Sequence, residues 1–335
     1  MPQLTRSRTS SGIGLGTGLA IVLALLVVRV TAPEGVATAL GDTLGDLITL
    51  AISVIIESLP FVFLGIVLSI AVQMWLPPDF LVRRLPKSPL FRRAVLSLTG
   101  ILLPVCECGN VPLARGFISR GLTVADAMTF LLAAPILNPV TIITTYQAFG
   151  WNDGILISRI LGGFLIANLV GWLFSKAPNP TQLLTRGFAR ACAIEAANPS
   201  TGNRLRRSVV LFAHETSAML PALFVGSAIA GLIQVGVPRS LLIELGGNPI
   251  WSVFVLMLLA FIISICSNVD AFFVLSLGSA FSPGAVVAFL VFGPMIDIKM
   301  LAMLRTTFTT KTLAQVTLVV ALATMVIGLA VNLLV

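Results

Sequence analysis

Leu59-Pro60-Phe61-Val62-Phe63-Leu64-Gly65 returns in kind as Leu220-Pro221-Ala222-Leu223-Phe224-Val225-Gly226. Val72-Gln73 and Leu76-Pro77 follow the first copy. Ile233-Gln234 and Val237-Pro238 follow the second without a gap. The register then continues: Ser88-Pro89-Leu90 pairs with Asn248-Pro249-Ile250, and Cys106 with Cys266. Phe130-Leu131 pairs with Phe289-Leu290, and Pro135 and Asn138 with Pro294 and Asp297. An apolar chain that is duplicated, with proline breaks at matching places, reads as a transporter. The duplication also directs attention to the breaks, because substrate sites form there, near the midplane and between the halves.

Composition agrees. Hydrophobic residues make up 57% of the 335 and charged residues 10%, with a mean hydropathy of +1.04. A soluble domain carries about a quarter charged residues, so lipid is the main solvent. The net charge of +8 sits in short loops between apolar runs, the positive-inside pattern, and needs no acidic polymer. One tyrosine and one histidine likewise argue against a stacking nucleic-acid surface. The partners expected are the lipid bilayer and a small-molecule or ion substrate, with homo-oligomers left open. No cofactor is expected, and no Gly-x-x-x-x-Gly-Lys-Ser/Thr loop is present, so energy comes from an ion gradient or a separate ATPase.

A helical span needs about 20 residues. Apolar runs fall at 13–31, 47–76, 94–112, 123–149, 154–175, 208–236, 250–277, 283–304 and 312–334. The first exceeds the roughly 7–15 apolar residues of a signal sequence and reads as an uncleaved anchor. Arg6 and Arg8 precede it, and further basic clusters lie at Arg83–Arg93, Lys176–Arg207 and Lys299–Lys311. All four belong on the cytoplasmic side of the membrane, the N-terminus included. If every run crossed, three crossings would put the loop at 77–93 and the linker at 176–207 on opposite sides. One run per half must therefore turn back, and 123–149 is favoured, because Ala134-Pro135-Ile136-Leu137-Asn138-Pro139 interrupts it. Each half then crosses three times, which inverts the second relative to the first. A nine-span chain with parallel repeats stays open. The expected architecture is an all-α polytopic membrane protein with two inverted repeats, broken or re-entrant helices and one extra N-terminal helix. Its parts are a tail and anchor (1–43), repeat 1 (44–175), a basic linker (176–207) and repeat 2 (208–335).

Chemistry concentrates in Pro104-Val105-Cys106-Glu107-Cys108-Gly109-Asn110-Val111-Pro112. On a helix, Cys106 and Cys108 diverge; in an unwound segment they share a face. The glycine and prolines favour the unwound form, which lipid tolerates only around a cavity. Cys266-Ser267-Asn268-Val269-Asp270 stands at the matching place. Three converging thiols, Cys106, Cys108 and Cys266, suit a soft species such as trivalent arsenic or a soft metal ion. Buried packing cysteines are the alternative. Glu107, Asn110, Asn138, Asn268, Asp270 and Asp297 complete the candidate substrate-binding set. Glu57 and Glu215 are candidates for proton coupling, because ionisable groups inside a membrane pair, face a cavity or work. The sequence also allows Glu215 a structural, interfacial role, Lys299 a local pair with Asp297, and Arg115 a snorkel to headgroups.

Cys106-Glu107-Cys108-Gly109-Asn110-Val111-Pro112-Leu113-Ala114-Arg115, Leu131-Leu132-Ala133-Ala134-Pro135-Ile136-Leu137-Asn138-Pro139-Val140, Asn268-Val269-Asp270-Ala271-Phe272 and Phe292-Gly293-Pro294-Met295-Ile296-Asp297 occur in this order. Together they resemble the bacterial predicted permease family that includes the ArsP-type organoarsenical efflux permeases, over roughly 45–335. The resemblance implies an inner-membrane permease rather than an enzyme, and export of trivalent organoarsenicals in characterised relatives. It also implies a role for membrane cysteines, here Cys106, Cys108 and Cys266. A channel, a permease for another solute, an intramembrane thiol redox enzyme and a membrane scaffold are the competing readings.

Overall fold

The computed structural model describes residues 40–75, 84–102, 105–151, 154–197, 204–236, 249–277 and 281–334. The expected anchor at 13–31 lies outside them, as do Pro77, Arg83, Pro104, Pro238 and Asn248. Those described residues are helical, apart from turns and an isolated bridge between Leu184 and Phe308.

Helix α1 (Leu40–Trp75) contains Pro60 and is followed by α2 (Pro89–Leu98) and a 3-10 turn (Thr99–Leu102). Then come α3 (Glu107–Ser119), α4 (Val124–Ala133), α5 (Pro139–Phe149) and α6 (Ile155–Ser175). A short helix, α7 (Arg186–Ala197), lies in the linker. The second half runs α8 (Arg204–Gly236, with Pro221 inside), α9 (Pro249–Ile263), α10 (Asp270–Ser276), α11 (Pro283–Met295), α12 (Ile298–Leu304) and α13 (Thr310–Leu334). Among the described residues, five stretches are long and apolar enough to cross a membrane: Gly45–Trp75, Ile155–Ser175, Arg204–Val235, Pro283–Leu304 and Thr310–Leu334. The protein is a multi-pass helical membrane protein.

The breaks have local causes. Run 123–149 parts at residues 134–138, where Pro135 and Pro139 each remove a donor and the Asn138 carboxamide caps α5 by accepting from the Val140 N–H at 2.9 Å. Run 283–304 parts at Ile296-Asp297, and Asp297 caps α12 in the same way through Met300 N–H. Two other runs expected to cross as single segments do not. Run 94–112 gives way to a 3-10 turn at Gly100, where a Cβ would lie 2.7 Å from Ala134 Cα. Run 250–277 stops at Ile263, because the Gln234 carboxamide donates to the Ile263 carbonyl at 2.8 Å and Ser264 turns left-handed at φ +53°.

Helices meet where side chains are absent. A Cβ on Gly65 of α1 would lie 2.1 Å from the Gly109 carbonyl oxygen of α3, so α1 crosses directly over the cysteine motif. Likewise α11 and α13 touch backbone to backbone at Gly284 and Gly328. Of the most apolar stretch of Pro283–Leu304, 89% is buried, against 28% for α13, so α11 and α12 form the central post. Phe130 and Phe289, paired in the sequence, are both buried in the core. Each meets a ring from the preceding helix, Phe117 at 5.0 Å and Phe273 at 5.8 Å.

Candidate functional site

Cys106 is the extended N-cap of α3, and its carbonyl accepts from the N–H groups of Gly109 and Asn110 at 3.1 and 3.2 Å. The Cys266 carbonyl accepts in the same manner from Val269 and Asp270 at 3.1 and 3.2 Å. Contrary to the unwound segment expected, α3 is helical from Glu107 onward and runs through Pro112. Convergence of the thiols arises at the helix start instead. Cys106 is extended and makes no side-chain capping bond, and α3 starts at Glu107, which leaves Cys106 and Cys108 close together there. The ligand atoms of Cys106, Glu107 and Cys108 all lie within 4.8 Å of one another. Cys266 joins them from the turn after α9, with its thiol 4.0 Å from Glu107 Oε2. The Cys106 thiol lies near both other thiols. All three cysteines are free and buried.

Beneath the thiols is a charge cluster assembled from both halves. The Lys299 ammonium donates to Glu107 Oε1 and to the Ser264 carbonyl, each at 3.3 Å, and lies 4.0 Å from Asp297 Oδ2. Ser267 donates its hydroxyl to Glu107 Oε2 at 3.2 Å. Lys299 and Glu107 are 1% and 0% exposed, so neither charge has water to solvate it. An isolated buried ion costs several kcal/mol, on the order of what removing its partner exposes. The cluster explains the left-handed Ser264: a conformation that favours glycine is held here because it aims the carbonyl at Lys299. Lys299 therefore pairs with Glu107 as well as with its local partner Asp297, in the buried interior and not at an exposed edge. Two orphan acceptors remain nearby: Asp297 Oδ2 and Asn110 Oδ1 are buried without a hydrogen bond.

The other candidates divide by position. Asn110 and Asn138 both donate to the Val105 carbonyl, at 3.4 and 3.2 Å, and so brace the extended residue just before Cys106. Asn268 accepts from Thr141 at 3.4 Å, joining the turn after α9 to α5. Asp270 turns away from the thiols and pairs in bidentate fashion with Arg159 of α6, at 3.0 and 2.5 Å; Arg159 also donates to Thr145 at 2.7 Å. Arg159 was legible as an ionisable group five residues into an apolar helix, but reading for motifs passes over it.

Glu215 is paired as well. Arg115 donates to both its oxygens, at 2.8 and 3.3 Å, and to Thr307 at 2.9 Å, with its guanidinium 4.3 Å from the centre of the Phe188 ring. Arg115 is thus buried and bonded rather than snorkelling to headgroups. Glu57 is exposed and lines a cavity of about 280 Å3 with Gln234, Ile262, Ile263 and Ile265. That cavity borders the turn that carries Ser264 and Cys266.

Fold and site together define a multi-helical membrane protein with a polar, thiol-bearing centre. Residues 43–333 match the ArsP-type predicted permease family, and the chain belongs to it. It is 34% identical to a Streptococcus mutans protein over 79% of this chain and 87% of that one. That relative's name proposes a subunit of a two-component membrane permease complex. It is 35% identical to the Bacillus subtilis protein YcgR over 77% and 87% of the two chains. A shorter match, 31% identical over 34% of this chain and 32% of the relative, is to Escherichia coli YraQ. No solved structure matches the chain at a significant level.

Proposed function

We propose that this permease sits in the bacterial inner membrane and exports a small thiophilic solute, with trivalent organoarsenicals as the substrate class. In this reading, two inverted halves alternate access to the Cys106–Cys108–Cys266 cluster. The observation that carries it is the convergence of three free thiols on one buried carboxylate–ammonium pair. Trivalent arsenic bound to hydroxide exchanges ligands without any redox change. A thiol forms an As–S bond as an As–O bond breaks, its proton leaving with the hydroxide as water, so a methylarsenical with two hydroxyls bonds to at most two of the three thiols at once. Glu107 stands by Cys266 to take up and return that proton, and Lys299 balances its charge. The unbonded oxygens of Asn110 and Asp297 are acceptors for hydroxyl groups still on the solute. The cavity beside Glu57 serves as the vestibule. A second subunit, of the kind the Streptococcus relative's name describes, would provide energy or gating.

Uptake of trivalent methylarsenical and of arsenite into everted vesicles, with and without a pH gradient, tests this. Wild-type vesicles should accumulate the methylarsenical. Cys106→Ser, Cys108→Ser and Cys266→Ser should each lower the rate at least about tenfold, the order expected for losing one soft ligand from a small set. Absence of uptake by folded wild-type protein would overturn the thiophilic substrate.

A further inference from the structure

Where α6 ends and α13 begins, the helices part around a groove of about 530 Å3. Lys176 and Lys311 line it, with the amides of Asn179 and Gln315 beside them and Leu173 and Leu318 below. Among the described residues, no aspartate or glutamate lines it. Lys176 follows the last residue of one membrane-length helix, and Lys311 is the second residue of another. Both cations therefore stand at the membrane boundary, while Leu173 and Leu318 are exposed on the lipid side. Trp172, whose ring lies 4.2 Å from the Lys176 ammonium, is an aromatic of the kind that marks this depth. The linker arginines Arg186 and Arg190, on α7, do not line the groove.

We propose that this groove seats the headgroup of an anionic glycerophospholipid. The lining fits such a molecule: two ammonium groups for the phosphate, amides for the glycerol ester oxygens, and aliphatic side chains for the acyl tails. Basic pockets between membrane helices recognise anionic headgroups in this manner. A free phosphate would use the lysines but leave the aliphatic wall without a partner. The groove is also wired inward. Its Leu183 carbonyl accepts from the Thr309 N–H at 3.0 Å and the Thr312 hydroxyl at 3.1 Å. Next along, the Thr185 N–H donates to the Thr307 carbonyl at 2.8 Å, and Thr307 holds Arg115 of α3. An occupied groove thus steadies the contacts that position the far end of the cysteine-bearing helix.

Native mass spectrometry of the full-length protein in detergent, titrated with phosphatidylglycerol or phosphatidylcholine, tests the proposal. Wild type should retain phosphatidylglycerol roughly tenfold more tightly. Lys176→Gln/Lys311→Gln should abolish that preference, whereas Arg186→Gln/Arg190→Gln, an equal change of charge on the linker, should leave it within about twofold. Equal retention of the two lipids by wild type would overturn the site without reference to any variant. So would equal losses in the two double variants, which would signal bulk charge alone. Displacement of the lipid by millimolar glycerol phosphate would assign the lysines to a soluble phosphate instead.

Discussion

Lys299 is the residue whose removal should be felt most. Its ammonium is the cation nearest Glu107, and both are shut away from water. Lys299→Met should destabilise the protein by about 3–5 kcal/mol, the usual cost of leaving one buried charge alone. Glu107→Gln with Lys299→Met should recover part of that stability, because buried Asp297 still loses its cation, as read from melting temperature in detergent, and yet remain inactive in vesicle uptake. Recovery of both would show that the pair is scaffold and not part of the site. Ser264 makes a complementary case. Ser264→Gly suits the left-handed backbone and should keep the melting temperature at or above that of wild type. Ser264→Val, whose branched side chain resists positive φ, should cost on the order of 1–3 kcal/mol. Neither residue was legible locally. Lys299 stands two positions from Asp297, and nearest-neighbour reasoning pairs them, whereas its principal partner is 192 residues away. Nothing in a serine announces φ +53°. Cys106, Glu107 and Cys108 were legible because polar and thiol groups between prolines are conspicuous in an apolar run.

Among the elements, the breaks and close crossings decide where the site lies. Asn138 caps α5 and also braces Val105, so Asn138→Leu loses both functions. A cap alone is worth about 1 kcal/mol. The variant should therefore lower stability by more than that, and loosen Cys106 so that it reacts faster with a small maleimide. Asn138→Asp keeps the cap but sets a buried carboxylate oxygen against the Val105 carbonyl, so it should also lose stability. At the crossing of α1 over α3, Gly65→Val would place two methyl groups where Gly109 carbonyl oxygen already lies. A melting temperature lowered by several degrees is expected, with a further loss of uptake if the cysteine motif shifts. The proline-bearing break at 134–138 could be read from sequence because a missing N–H is a local fact. The end of α9 could not, because it depends on Gln234 reaching across from α8. Hydrophobic periodicity likewise carries run 250–277 past Ile263, since a turn buried among other helices is as apolar as the helices themselves.

At the scale of the molecule, three of the buried ion pairs among the described residues share one property. Glu107–Lys299, Arg115–Glu215 and Arg159–Asp270 each join a residue before the linker to one after it. The two stretches are held together by charge as well as by the packing of α1 on α8. Arg159→Gln should cost about 3–5 kcal/mol by stranding Asp270, while Arg159→Gln with Asp270→Asn should recover part of it, again by melting temperature. A double variant as unstable as the single would mean that Arg159 acts through Thr145 and not through Asp270. These couplings were beyond the sequence, which displays each ion alone among apolar neighbours and says nothing of distance in space. They also impose a timetable on birth. Glu107 leaves the ribosome 192 residues before Lys299, a delay of roughly 10–40 s at ordinary elongation rates. For that interval an acid destined for a dry interior has no counter-charge. The nascent first half must therefore keep Glu107 protonated, wetted by the insertion machinery or held at the bilayer surface until its partner emerges.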